Sequence, residues 1–368
     1  MKRRESMAKE STKKESKRRP DIIFLNVVFC LLVIFIHSAS EIVSEMPKST
    51  AVFRTVFSLQ KLSMFVVPGF ILLSGTKLFL RKADSFSLGK YYLSRFLRLV
   101  VPYVLWSVIY YAYFCYRGVY SFNFADMLLH ILHGDMWAHF YFVIVLIQFE
   151  ILAPLWIFLY RRGNAAVHMT FAMLVTAICA QYLPSVLTTL FPSMPDFSVT
   201  NCFLRYQVYW TAGCLIGLHY NEFCEYLKSN KLIIFIGFIL SGFIYLYISL
   251  FTLGREPVWT ELFNILYTCC AILMFYMLSQ LFGGRAAGVL KPLAPIDRST
   301  YTIYLVHCLV IVLVNDYMTK IGIEGLTDRF WLRLGAVYGI CIVLCLVWQL
   351  VKLPLSRLLA RNRTERIV

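Results

Sequence analysis

The sequence predicts an all-α fold, a polytopic transmembrane helical bundle of about ten helices with both termini cytoplasmic, and three observations lead there. The chain of 368 residues is 59% hydrophobic and only 15% charged, with a mean hydropathy of +0.67. Such a composition lies outside the range of water-soluble domains. Apolar stretches of roughly 20 residues, the length that crosses a bilayer, follow one another with short polar breaks. The lysines and arginines behind the formal net charge of +16 gather at the ends of those stretches and on the two tails. That placement fits a lipid bilayer surface as partner and not nucleic acid.

Residues 1–20, MKRRESMAKESTKKESKRRP, read as a basic, disordered cytoplasmic tail that touches anionic headgroups. No small-residue cleavage site follows the first apolar stretch, so a cleaved signal peptide is not expected. Residues 21–352 form one membrane domain, with helices expected near 22–40, 56–79, 99–116, 137–160, 167–183, 206–220, 231–252, 259–282, 300–319 and 331–352. Residues 353–368 form a basic cytoplasmic C-terminal tail. With the N-terminal tail inside, the inner loops carry Arg81, Lys82, Lys90, Arg95, Arg98, Arg161, Arg162 and Lys228, whereas basic residues of the outer loops are sparse and mostly offset by acids. The stretch 183–201 is apolar but broken by Pro184, Pro192 and Pro195, which also allows a re-entrant or interfacial path.

Of eleven cysteines, most fall within apolar stretches, where a thiol behaves as a small hydrophobe, and no pair has CxxC spacing. Neither a disulfide framework nor a metal site is expected. His130, His133 and Asp135 could approach His139, but their spacing matches no metal motif.

An ionisable side chain at membrane depth costs a few kcal/mol unless it faces a partner or a cavity, so each is a functional candidate. The set comprises His37, Glu41, Lys61, Lys77, His139, Glu150, Glu261, His307 and Asp316. His37 and Glu41 are four apart and share a helix face, where the carboxylate can orient the imidazole as a general base. An interfacial histidine bonded to a neighbouring helix is the alternative. Tyr304 and His307 are likewise co-facial, either as a second polar cluster or as a packing hydrogen bond. His139, in WAHFYF, suits an aromatic belt as well as a site. Glu150 is expected to face the interior beside Lys61 or Lys77. Arg95 and Arg98, in KYYLSRFLRLVVPY, either clamp phosphates or sit at the membrane surface.

Taken in order, five segments resemble the acyltransferase-3 family of multi-pass membrane O-acyltransferases, which includes O-acetyltransferases of bacterial surface polysaccharides. They are NVVFCLLVIFIHSAS ending around His37, VVPGFILLSGTKLF, YYLSRFLRLVVPYVLW, HFYFVIVLIQFEILAPL and STYTIYLVHCLVIV, and together they span most of the chain. The resemblance implies a bacterial cytoplasmic-membrane enzyme with acetyl-CoA as acyl donor and a hydroxyl of a surface glycan or lipid-linked oligosaccharide as acceptor. It casts His37, oriented by Glu41, as base, with Tyr304 and His307 assisting. Arg95, Arg98, Asn26 and Ser74 fall to the donor, with Ser74 or Gly75 near the oxyanion. One departure stands out. Family members usually carry an arginine eleven residues before the first-helix histidine, and here that residue is Asn26. An amide supplies no charge, so either a neighbour such as Arg18, Arg19 or Arg98 compensates, or the donor is handled differently and the chain is an inactive or repurposed member. A transporter or exporter of a glycan or small polar solute would line its pathway with the same buried ions. A second copy of the chain or a glycan-synthesis protein are the macromolecular partners to expect.

Overall fold

The structure, a computed structural model, describes residues 19–80, 87–190, 201–253, 260–282 and 284–365, the last fifteen by backbone alone. Residues 1–18 with Arg18, the loop basics Arg81 and Lys82, Pro192 and Pro195 lie outside the described residues. Every described element is helical. We number them α1 Pro20–Glu45, α2 Ala51–Phe79, α3 Leu88–Tyr116, α4 Phe124–His133, α5 Tyr141–Ile151, α6 Ala153–Arg162, α7 Ala165–Leu187, α8 Gln207–Leu218, α9 Tyr220–Ser229, α10 Lys231–Phe251, α11 Thr260–Phe282, α12 Gly288–Lys320 and α13 Leu326–Val347.

Among the described residues, eight helices are long and apolar enough to cross a membrane, and nine with α5 and α6 counted as one bent span. The remaining expected helix, sixth in chain order at 206–220, is the short α8 of 12 residues. It runs parallel to the second half of α2 in close backbone contact. A Cβ on Gly213 would lie 2.1 Å from the Leu72 carbonyl oxygen, and one on Gly217 2.5 Å from that of Thr76. Glycine is what permits that approach. Because its neighbours sheath it, α8 does not need the length of a lipid-facing helix. Asn201, ahead of α8, donates to the His133 carbonyl at one end of the bundle, and Tyr220, just after it, donates to Asp21 at the other. Among the described residues the path thus runs ten times along the bundle, and its first and last helices have Asp21 and Gln349 at the same end. Gln349, where the helix continues past α13, donates to the Pro295 carbonyl at that same end.

Prolines account for the breaks. Pro154 lacks an N–H and crowds the carbonyl four residues before it, so the expected helix 137–160 bends by 60° between α5 and α6. The Trp156 indole N–H donates to the Phe149 carbonyl there, at 3.0 Å. Pro68 has the same effect within α2, which breaks at Met64–Phe65, where Tyr267 takes the Leu62 carbonyl at 2.6 Å. Pro184 does not break the chain. The helix beginning at Ala165 continues through it to Leu190, so that part of 183–201 is an ordinary helix and not re-entrant. The helix expected at 99–116 begins earlier, at Leu88, and a π-helical turn at Phe96–Val100 precedes Pro102. Lys90, Arg95 and Arg98 therefore sit on a helix instead of in a loop. On the bundle's outside, Leu232, Ile233, Phe243 and Phe251 of α10 are exposed, as a helix facing lipid requires. All eleven cysteines are free thiols.

Candidate active site

The site forms where α1, α2 and α12 meet, with α1 and α12 parallel and in register. Asn26, Cys30, Val33 and His37 recur at helical spacing on one stripe of α1. Asp297, Thr300, Tyr304 and His307 do the same on α12. The two stripes are joined at both ends. At the end that carries Asp21 and Gln349, the Asn26 amide donates to Asp297 at 2.6 Å and its oxygen accepts from the Lys77 ammonium at 2.9 Å. About 16 Å further along α1, at 1.5 Å per residue, the His37 ring faces that of His307 with centroids 5.0 Å apart.

Between these ends runs a narrow apolar crevice without room for a water molecule. Cys30, Val33 and Ile34 of α1 line it, with Phe70 of α2 and Thr300, Ile303, Tyr304 and His307 of α12. Ser74 lies one helical turn from Phe70 and shares its face, half-buried. Gly75 turns away and packs under the Trp210 carbonyl, so it belongs to the α2–α8 contact.

At the far end three imidazoles converge. His139, from the turn before α5, lies 4.9 Å from His307 and 5.8 Å from His37 by ring centroids. His139 and His307 are 1% and 0% exposed, whereas His37 is only partly buried. His37 is thus the least enclosed residue of the three. His307 Nδ1 lies 2.7 Å from the Tyr304 carbonyl oxygen, and a carbonyl only accepts, so Nδ1 carries the proton and Nε2 the lone pair. That lone pair meets the Cys308 thiol at 3.3 Å. The nitrogens of His139 form no well-shaped hydrogen bond, only a loose contact with the Leu305 carbonyl. The Tyr110 hydroxyl enters the α12 ladder here, donating to the Leu305 carbonyl at 3.1 Å and accepting from the Leu309 N–H at 2.6 Å. Those two groups are four residues apart, so the hydroxyl joins the helix's own ladder beside His307. Tyr304 donates its hydroxyl to the His139 carbonyl.

Several residues expected to act together are kept apart. Glu41 does not orient His37, because the helix turns at Ala39 and both Glu41 oxygens pair with Arg329 and Arg333 of α13. Glu150 has partners on α3 that its sequence neighbourhood did not indicate. It pairs with Arg95 at 2.9 Å and accepts from the Tyr91 hydroxyl. Arg95 therefore ties α3 to α5, while Arg98 is exposed. His130 and His133 both reach Asp135, at 2.8 and 3.9 Å, in a half-exposed group, whereas His139 is buried. Glu261 pairs with Arg205 at 3.0 Å and Asp316 with Arg117 at 3.1 Å.

Sequence reasoning did not assign His139, Cys308, Lys77 and Asp297 to one site. The stripes Asn26–His37 and Asp297–His307, each polar at both ends and of similar length, were the available signal. His37, His307 and Cys308 bring their ligand atoms within 4.8 Å of one another, a donor set that a borderline-soft ion such as zinc accepts.

Fold and site together define a multi-pass membrane protein whose buried imidazoles stand at the end of an apolar crevice. A family profile described as an acyltransferase domain matches residues 19–349, so the chain belongs to the acyltransferase-3 family and is an acyltransferase. No curated protein and no solved structure matches it.

Proposed function

We propose that the protein transfers an acyl group, acetyl above all, from acyl-CoA in the cytoplasm to a hydroxyl of a cell-surface polysaccharide or its lipid-linked precursor, and that it works in the bacterial cytoplasmic membrane. The observation that carries this reading is the unbroken line from Lys77–Asn26–Asp297, along the apolar crevice, to the three histidines. The end that carries Asp21 and Gln349 faces the cytoplasm, since Lys90, Arg98, Arg161, Arg162, Lys228 and Lys231 are exposed there. Arg98 and its basic neighbours attract the CoA phosphates. Asn26 and Lys77 meet the polar groups of the pantetheine arm at the crevice mouth. The walls part to admit the thioester and keep water from it.

At the far end His37 takes the proton of the acceptor hydroxyl. The oxygen attacks the thioester carbonyl, the carbon–sulfur bond breaks, and the CoA sulfur leaves with the proton held by His37. The N–H of His139, lacking a well-formed partner, is free to stabilise the oxyanion. Tyr304 and the Nδ1–H of His307 are committed to carbonyls, so they position the cluster. Removing the protein from its cells is expected to remove O-acyl esters from the surface glycan, and an unchanged ester content would refute the assignment.

Two further expectations follow from the same residues. Lys77 supplies the cation that Asn26 lacks, so Lys77→Met should raise the KM for acetyl-CoA about tenfold with little change in kcat. Adding Asn26→Arg to that variant should restore the KM, and a KM that Lys77→Met leaves unchanged would remove Lys77 from the donor site. Because His37 acts through a proton, dialysis against a strong chelator should leave acyl transfer intact. Activity lost on dialysis and regained with zinc would instead make the His37–His307–Cys308 group a metal centre.

A further inference from the structure

Next to the histidines, on the acceptor side of the bundle, lies a charge arrangement that the acyl-transfer steps do not use. Arg333 of α13 is 1% exposed. Its guanidinium has five N–H donors. Nε donates to the Ser38 carbonyl at 3.0 Å, and Nη1 donates to Glu41 and, at 3.0 Å, to the Asn315 side chain. Nη2 has no partner, and neither has the Ser38 hydroxyl, which is fully buried. Arg329, one turn earlier on α13, claims the other oxygen of the same carboxylate at 3.0 Å. Its remaining contacts, to the Thr319 hydroxyl and the Ile323 carbonyl, bring no charge. Asp316, the other acid of this end of α12, is already held by Arg117 and Tyr113.

Two guanidinium groups thus share one carboxylate, leaving one positive charge uncompensated beside orphaned donors. Burying such a charge is costly unless an anion joins it. Ser38 directly follows His37, so an anion held here lies next to the proposed base. Arg329, whose side chain is 13% exposed, marks the side from which it arrives.

We propose that Arg333, Arg329 and Ser38 form an oxyanion-binding site that recognises an acidic group on the acceptor. Its location beside His37 gives it this role only if the acyl-transfer reading holds, but anion binding itself does not depend on that reading. A guanidinium with both Nη2 hydrogens unused suits a carboxylate or phosphate oxygen. Two sources offer that chemistry: the carboxylate of a uronic acid in the glycan, and the phosphate linking a glycan precursor to its lipid.

The test uses the full-length protein in nanodiscs with three probes: a glucuronate-containing oligosaccharide, a neutral glucose oligomer of equal length, and a short-chain polyprenyl phosphate. One acidic probe should bind at least tenfold more tightly than the neutral one, and inorganic phosphate should compete with it. Which probe wins identifies the source. Arg333→Gln should abolish the preference, Arg333→Lys should keep part of it, and Ser38→Ala should weaken it while leaving the charges in place. If Arg333→Gln fails to fold, the Ser38→Ala shift and phosphate competition decide. Equal binding of acidic and neutral probes, or a preference that survives both Arg333→Gln and Ser38→Ala, overturns the proposal. Acetyl-CoA turnover is measured in parallel on the unaltered protein. Anion preference without turnover sinks the acyl-transfer reading and spares the site, whereas turnover without preference does the reverse.

Discussion

His37→Ala is expected to lower acyl transfer by about 10²–10⁴-fold, the range over which a positioned general base contributes. His37 is only partly buried and its ring makes no hydrogen bond among those of the cluster, so its loss should leave the bundle folded. His307 would behave differently. It is fully buried, and its Nδ1 proton fastens the ring to the Tyr304 carbonyl, so His307→Ala removes a packed group as well as a lone pair. The comparison should be made as rate per folded molecule, with abundance read by size-exclusion chromatography. His37→Ala protein at normal abundance that still acylates the surface glycan at the unaltered rate would remove His37 from the chemistry.

Gly213→Val should prevent the protein from accumulating. The added Cβ would fall 2.1 Å from the Leu72 carbonyl oxygen and 2.8 Å from the carbonyl carbon. Backbone atoms cannot swing aside as a side-chain tip can, so α8 must separate from α2 along its length. Stacking of Trp210 on Phe149, at 4.5 Å between centroids, would be disturbed by the same shift. Overpacking of this kind costs roughly 3 kcal/mol or more, a large share of a protein's net stability. Gly335→Ala on α13 is the matched control, because nothing lies within 4 Å of its Cβ position. It should be neutral or slightly stabilising, as expected for glycine replaced within a helix. Melting temperature and monodispersity in detergent report both. A Gly213→Val protein that melts with the unaltered chain would mean that the α2–α8 contact is not tight.

The bundle was legible in the sequence because lipid imposes length and apolarity on any helix that faces it. The same rule does not reach α8, a shorter helix whose neighbours relieve it of that demand. Glycines at 213 and 217, one turn apart, are its local signature. His37 and His307 could be singled out since each is a rare polar group on an apolar helix. His139 could not, because WAHFYF describes a membrane belt as well as a turn folded into the core. Glu41 shows the limit most plainly. Four-residue spacing places it on the face of His37 only in an unbroken helix, and the turn at Ala39 hands its carboxylate to α13. Arg333 is 292 residues away in sequence, beyond the reach of any local pattern. Asn26 read as a lost charge until the fold brought Lys77 to within 2.9 Å of its amide oxygen.

The most direct test incubates the purified protein with acetyl-CoA labelled on the acetyl carbon, with and without acceptor glycan. The acyl-transfer reading predicts that the thioester is consumed and that label appears as an ester on the glycan, with both lost in His37→Ala. Movement of glycan across a proteoliposome membrane with the thioester left intact would contradict it and point to a transporter.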